Sequence, residues 1–464
     1  MHSTLRIVAL ILFACIGFPA RAAAHLKLES SSPAQGDTVR ASLHEIRVVF
    51  SQAVEPRYTT LTLLDNGGNA LELGTLVPIG TGKTREFVYQ LTHPLVAGDF
   101  VVRWRTAGED GHVVSGSFDF IVDVPNAVSS ADPTRRPDTP AVLSTEDEHA
   151  HHTEAGGEPL YDAESLPWIL ARWINFVGLV LMVGAVAFRF AVLQRAQRAF
   201  TAEVFAAIDS GTRTIALWAA LIALTGNTGR FWLQSGALHG SARMWEPELL
   251  RAMTFDTGWG KAWLAQTVAA LAFIIATRIR SEQPLESWIA AALFAVAAAS
   301  TPAFSGHAAA VEQMAAVPIF NDAVHLMAAS AWLGTLAVLL FAGVPALVRT
   351  SHQPFTDAAA LVRTFSPLAL FAAAVAIATG TMSAFVHIKA ISELWTTPYG
   401  KTLSLKLMVV LLTATTGAYN WKVVSPRLGT EGATLHIRRS ALAEIIIAAT
   451  ILAVTAVLVA LPLH

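Results

Sequence analysis

Phe100-Val101-Val102-Arg103-Trp104-Arg105-Thr106-Ala107-Gly108-Glu109-Asp110-Gly111-His112 decides how the first part of the chain folds. Its large apolar residues fall at Phe100, Val102 and Trp104, the period of two that marks a half-buried β-strand. The strand reads as Phe100 to Thr106, and Ala107 to Gly111 as the loop after it. In an extended segment, residues two apart face the same way, so Asp110 and His112 point together. Taken alone, Asp-x-His is a weak metal motif, common on surface loops.

Outward from this stretch the pattern repeats. Ile46/Val48/Phe50 and Phe118/Phe120/Val122 alternate in the same way. Turn signals separate the runs at Pro33-Ala34-Gln35-Gly36, Asp65-Asn66-Gly67-Gly68, Gly80-Thr81-Gly82, Pro94 and Ala97-Gly98-Asp99. Residues 25–123 therefore read as an all-β, immunoglobulin-like sandwich.

What precedes the strands supplies a second metal ligand. Arg6 is a positive n-region, Ile7 to Ile16 an apolar h-region, and Ala22-x-Ala24 a small-residue cleavage site, so residues 1–24 read as a signal peptide. Leu12-Phe13-Ala14-Cys15 is the rival, a lipoprotein-type site, but Phe13 fits it poorly and it leaves the alanine site without purpose. Cleavage after Ala24 makes His25 the first residue of the mature chain. A terminal histidine chelates through its amine and imidazole once both are deprotonated. The amine loses its proton near ~8, against ~10.4 for lysine. Asp110 and His112 would complete the tetragonal nitrogen and oxygen set that Cu(II) prefers.

Composition bounds the rest. The chain has 464 residues, 53% hydrophobic and 14% charged, with a mean hydropathy of +0.50, which is the profile of a membrane protein. A net charge of −2 leaves no nucleic-acid footprint. The one cysteine, Cys15, lies in the signal. The mature chain is then without disulfides or zinc ribbons, and its metal ligands are His, Asp, Glu, Met and backbone.

Residues 124–165 read as an acidic linker. Its Glu146-Asp147-Glu148-His149-Ala150-His151-His152 tract is better taken as a solvated tether than as a metal site. Residues 166–464 read as an all-α polytopic bundle. About eight apolar segments approach the ~20 residues a bilayer needs: 167–189, 213–233, 262–279, 286–305, 318–345, 365–388, 402–420 and 439–462. Loops rich in arginine, with Arg189, Arg195, Arg198, Arg213, Arg278, Arg280, Arg349, Arg363, Arg427, Arg438 and Arg439, fall on one side. The positive-inside rule puts the β-domain on the export side. Whether Trp232 to Lys261 is a loop or holds an interfacial helix is left open.

Ionisable residues inside apolar segments are functional candidates. His307, His325 and His387 fall toward the external side. Asp322 and His325 share a helix face, with Trp332 two turns further. Met314, Met327 and Met382 lie near the same end, where packing is the commoner use of methionine. Lys406 and Glu444 are further charges within helices.

Several of these stretches resemble the CopC family: His25, Ser32-Pro33-Ala34-Gln35-Gly36, Val49-Phe50-Ser51, Gly98 to Trp104, Asp110-Gly111-His112 and Gly116-Ser117-Phe118. That resemblance implies a periplasmic copper-binding β-sandwich whose Cu(II) ligands are His25, Asp110 and His112. The acidic residue that often follows Phe-Ser in the family is here Gln52. No methionine lies between His25 and Ser165, so the Cu(I) site of some members is not expected. Ser305-Gly306-His307-Ala308, Asp322-Ala323-Val324-His325, Ala331-Trp332-Leu333-Gly334 and Thr397 to Leu403 with Lys406 resemble the CopD family. This second resemblance implies a multi-pass inner-membrane protein linked to copper uptake. Its carriers of copper would be His307, Asp322 and His325, with His387, Met314 and Met382 beside them.

The expectation is a copper importer, not an enzyme. It would take copper from solution or from a periplasmic copper donor, and hold Cu(II) outside and Cu(I) or Cu(II) within the bilayer. Two alternatives stay open: a redox protein holding b-type haem between His325 and His387, and sequestration of copper without transport. Oxidative chemistry ranks last, because Asp110 would fill the position oxygen needs.

Overall fold

A computed structural model describes residues 26–54, 56–80, 82, 84–108, 113–124, 165–279, 284–304, 316–388, 390–419, 422 and 431–461. It forms two compact units, one of strands with Ser235–Leu249, the other of the remaining helices.

Nine strands build the first unit: β1 Leu28–Ser32, β2 Asp37–Val39, β3 Leu43–Val54, β4 Thr60–Leu64, β5 Ala70–Leu71, β6 Leu73–Pro78, β7 Thr84–Leu95, β8 Ala97–Ala107 and β9 Val113–Asp123. They form two sheets, ordered β1-β3-β7-β6 and β2-β9-β8-β4-β5. All pairings are antiparallel except β2 with β9. The alternation read from sequence is what fills the sandwich. Ile46, Val48 and Phe50 of β3, Phe100, Val102 and Trp104 of β8, and Phe118, Phe120 and Val122 of β9 are all buried in one cluster. Phe50 meets Trp104 edge-on at 5.4 Å between centroids, the arrangement aromatic quadrupoles favour. Trp104 pairs with Gly116 across the sheet. A Cβ at Gly116 would stand 2.6 Å from the Trp104 ring, so glycine is required there. The turn at Asp65 closes because its carboxylate accepts from the amides of Gly67 and Asn69 at 2.9 and 2.8 Å. Those bonds, led by the Asn69 amide, hold the Asp65 carboxyl below its usual range.

Every apolar segment read from the sequence coincides with a helix. They are α1 Leu166–Ala187, α2 Ala202–Arg243, α4 Gly258–Arg278, α5 Pro284–Phe304, α6 Ala316–Ala329, α7 Pro354–His387, α8 Pro398–Tyr419 and α9 Glu431–Leu458, with a short α3, Pro247–Asp256, between α2 and α4. Among the described residues six helical stretches are long and apolar enough to cross a membrane: Leu166–Ala199, Ala202–Arg243, Gly258–Arg278, Leu285–Phe304, Val317–Thr350 and Pro354–His387. The two last segments read from sequence fall on α8 and α9, where Leu442–Leu458 is a shorter apolar stretch. Between Trp232 and Lys261 the chain is largely helical. α2 runs on to Arg243, bent at Gly240 (φ 74°), a left-handed backbone that glycine adopts without cost; α3 follows. Helix α4 starts at Thr257, whose hydroxyl accepts from Gly260 N at 2.9 Å.

Apolar helices in lipid gain nothing from hydrophobic contact with each other, so close packing at small residues and buried polar ties hold them. A Cβ on Gly178 would fall 2.3 Å from Ala223 N, and one on Gly184 2.3 Å from Gly334 C. Gln266 Nε2 donates to Asn175 Oδ1 at 2.6 Å, and Thr301 Oγ1 to Gln266 Oε1 at 3.0 Å, linking α4, α1 and α5. Where the first chain segment leaves the apolar zone, Asp209 accepts from Arg189 Nε (2.7 Å), Arg213 Nε (2.8 Å) and Trp288 Nε1 (3.0 Å). Removing that carboxylate strands the buried Arg189 guanidinium and takes the counter-charge from the half-buried Arg213. Asp209→Ala is therefore expected to cost about 3–5 kcal/mol, read as a lower unfolding temperature of the detergent-solubilised protein.

Candidate metal centre

In the β-unit, β8 and β9 are paired up to Ala107 and Val113. Asp110 and His112 lie in sequence between those partners, and His25 directly precedes the buried Leu26. All three lie outside the described residues. Arg105 NH2, five residues before Asp110, and Gln52 Nε2 on β3 are buried without a hydrogen-bond partner. Burial lowers the Arg105 guanidinium below its ordinary value.

In the helical unit, the residues singled out on α6 meet a polar stripe on α7. Ala376, Thr379, Gly380, Ser383 and His387 recur at three and four residues, so they share one helix face. Thr379 and Ser383 hydroxyls fit an apolar helix because they can also bond to their own backbone. Thr379 donates to Val375 O at 2.7 Å. From α6, Asn321 Nδ2 donates to Thr379 O at 3.0 Å and to Ser383 Oγ at 2.8 Å. Ser383 Oγ donates to Asp322 Oδ1 at 3.0 Å. His325 Nδ1 lies 2.9 Å from Ala376 O and 3.0 Å from Thr379 Oγ1. A carbonyl can only accept, so Nδ1 carries the proton and Nε2 keeps its lone pair. His387 is fixed alike, with Nδ1 2.7 Å from Ser383 O. Metal-binding imidazoles are held in this way, one nitrogen donating to a backbone or side-chain acceptor while the other is free for the ion.

Two features shape the space around His325. Gly380 faces its ring, and a Cβ there would stand 3.0 Å from Cε1. Helix α6 also continues through two π-turns, Ser330–Gly334 and Leu339–Gly343; such turns recur at functional sites. The first carries Trp332, which is buried. From α8, Tyr399 and Lys406 lie seven apart, on one face. The Tyr399 ring is 6.0 Å from that of His387. Lys406 lies within Coulombic range of Asp322 and His325.

The structure thus brings Asp322, His325 and His387 to one polar seam. Met382 is on the same helix but 43% exposed, off that seam. His307 and Met314 lie outside the described residues. Among the described residues, no three His, Cys, Asp or Glu side chains converge into a closed cage. Reading the sequence alone misses Asn321, Thr379, Gly380 and Ser383. Their signal is a polar stripe at Thr379, Ser383 and His387, one step of four apart.

Lys406 opposes any cation drawn to Asp322. At an effective dielectric of ~20, a unit charge within such range is worth on the order of 1–2 kcal/mol. Lys406→Gln is expected to tighten metal binding at Asp322 and His325 by about tenfold and to slow release. Calorimetric titration of a variant lacking the N-terminal ligands would show it.

Comparison with known proteins accords with both halves. Residues 28–123 match the family described as CopC domain. Residues 162–317 match Copper resistance protein D-like, N-terminal domain, and residues 359–458 match Copper resistance protein D. The chain is 26% identical to "Copper transport protein CutJ" of Bacillus subtilis (strain 168) over 473 residues, 98% of this chain and 77% of that protein. It is 28% identical over 265 residues to "Inner membrane protein YebZ" of Escherichia coli (strain K12), 56% of this chain and 85% of that one. The crystal structure of CopC from Methylosinus trichosporium OB3b is 30% identical and covers 22% of this chain and 99% of its own, with a TM-score of 0.20. One polypeptide thus joins a region that matches the CopC domain to a helical region that matches the copper resistance protein D models.

Proposed function

We propose that this protein imports copper across the inner membrane. Its β-domain, on the periplasmic side, captures Cu(II) through the amine and imidazole of His25 with Asp110 and His112. The ion then passes to the helices at His307, Asp322, His325 and His387, with Met314 as a softer contact along the way, and leaves inward. A periplasmic copper donor can load the N-terminal site. The protein performs no catalysis in this scheme; copper is its cargo.

One observation supports the transport reading above all. Inside an apolar bundle, His325 is tied through Nδ1 to α7, three residues from an Asp322 held by Ser383, in a chain that also carries a CopC domain. An ionisable side chain is costly inside an apolar bundle, so one fixed there is a functional candidate. The test is copper content by mass spectrometry in a strain lacking the gene, grown at limiting copper. Cytoplasmic copper should fall and be restored by the wild-type gene. Unchanged content, with copper resistance reduced instead, would favour sequestration, and a Soret band in the purified protein would favour haem.

A further inference from the structure

Helix α2 does not stop where its apolar stretch does. The apolar segment ends at 233, and the helix keeps regular geometry through His239. Gly240 then takes a left-handed backbone (φ 74°), the conformation that commonly closes a helix. The chain beyond it is tied back. Ser235 Oγ donates to Met244 O at 2.7 Å, and Arg243 donates to Glu246 from Nε at 2.8 Å and from NH2 at 3.0 Å. His239 is thereby the last residue before the break, on a braced helix end.

That end belongs to the β-unit, which takes in Ser235–Leu249. The His239 ring lies against Tyr58, with 5.5 Å between centroids. Tyr58 is buried and closes the single helical turn Pro56–Tyr58 between β3 and β4. The next residue, Thr59, meets Thr106 hydroxyl to hydroxyl at 2.8 Å, and Thr60 pairs with Arg105 across β4 and β8. Thr106 precedes Ala107, the last residue of β8. A histidine on a membrane helix thus sits at the end of β8 from which Asp110 and His112 follow in sequence. The fold leaves part of that imidazole unused. Nε2 is buried and has no hydrogen-bond partner among the described residues. Packing on a tyrosine ring asks only for an apolar face, which a phenylalanine would supply without stranding a polar atom. An imidazole nitrogen with a free lone pair suits copper.

We propose that His239 is a copper ligand that receives the ion as it leaves the amino-terminal site. This step rests on the import reading given above. It is a ligand exchange: Nε2 binds as one amino-terminal donor lets go, and it needs no change in oxidation state. Position supports the direction. The positive-inside reading puts this end of α2 on the export side, and the helix leads from His239 back into the apolar segment.

The test uses full-length protein reconstituted in sealed liposomes, with Cu(II) supplied outside at saturation. His239→Gln and His239→Phe should each still hold one Cu(II) with wild-type affinity in a chelator competition, yet fill the vesicles about tenfold more slowly or worse. His239→Phe keeps a ring against Tyr58, so a packing role would spare its transport; it also carries the test if His239→Gln does not fold. His93→Gln, exposed on β7 just ahead of the start of β8, should transport as the wild type. Wild-type rates in both His239 variants would overturn the step while leaving the amino-terminal site and the α6–α7 seam untouched. Loss of amino-terminal affinity in both would also overturn it, by making His239 part of the capture site. A wild type that takes up no copper would sink import itself, and this step with it.

Discussion

Replacing His25 by alanine, or adding one residue ahead of it, is expected to abolish tight equimolar Cu(II) binding by the exported protein. Both changes spare the β-sandwich, whose core begins at Leu26. The first removes the imidazole; the second converts the terminal amine into an amide, which no longer offers a lone pair near neutral pH. Either breaks the chelate ring. Loss of an outer-shell partner costs ~10–100-fold in metal affinity, and loss of a chelating donor should exceed that. Asp110→Ala and His112→Ala each remove one donor and should weaken binding by less than the His25 change. Competition titration with a chelator of known affinity measures all four. An added residue without effect would remove the amine from the ligand set.

In the membrane the largest effect is expected at His325. Changing it to alanine removes the imidazole that spans α6 and α7 and leaves Ala376 O and Thr379 Oγ1 without their partner. Copper accumulation should fall to the level of the deletion strain. Asp322→Asn keeps the shape and the Ser383 bond but removes the charge, so transport should drop sharply while the protein stays folded. Thr379→Ala acts only by loosening the ring and should cost less, about ten- to a hundredfold in affinity at most. Gly380→Val tests the same ring from the other side. Its side chain would press on Cε1, already 3.0 Å from a Cβ at that position. If His325→Ala accumulates copper as the wild type does, the seam between α6 and α7 is not the route.

Much of this architecture is legible in the amino-acid sequence itself. The strands can be read because burial on one face forces apolar residues to every second position, as Phe100, Val102 and Trp104 show. The membrane helices can be read because a bilayer demands long uninterrupted apolar runs. Helix ends are less legible. Hydropathy reports where a helix meets water, not where it stops, so the apolar segment ends at 233 although α2 runs to Arg243. Of the membrane site, Asp322 and His325 stand out because charge in an apolar run is rare. Thr379 and Ser383 do not, because hydroxyls that bond within their own helix look like ordinary small residues. Their role depends on Asn321 and His325 from another helix, a tertiary fact that no local pattern carries.

Copper uptake into sealed proteoliposomes is the most direct measure of the account. With the purified protein reconstituted and copper added outside, the wild type should fill the vesicles in a saturable way, well above protein-free liposomes. His325→Ala protein should still bind one Cu(II) at its amino terminus yet leave the lumen empty. Wild-type vesicles that bind the ion but accumulate no more than protein-free ones would contradict import and leave a protein that only holds copper outside.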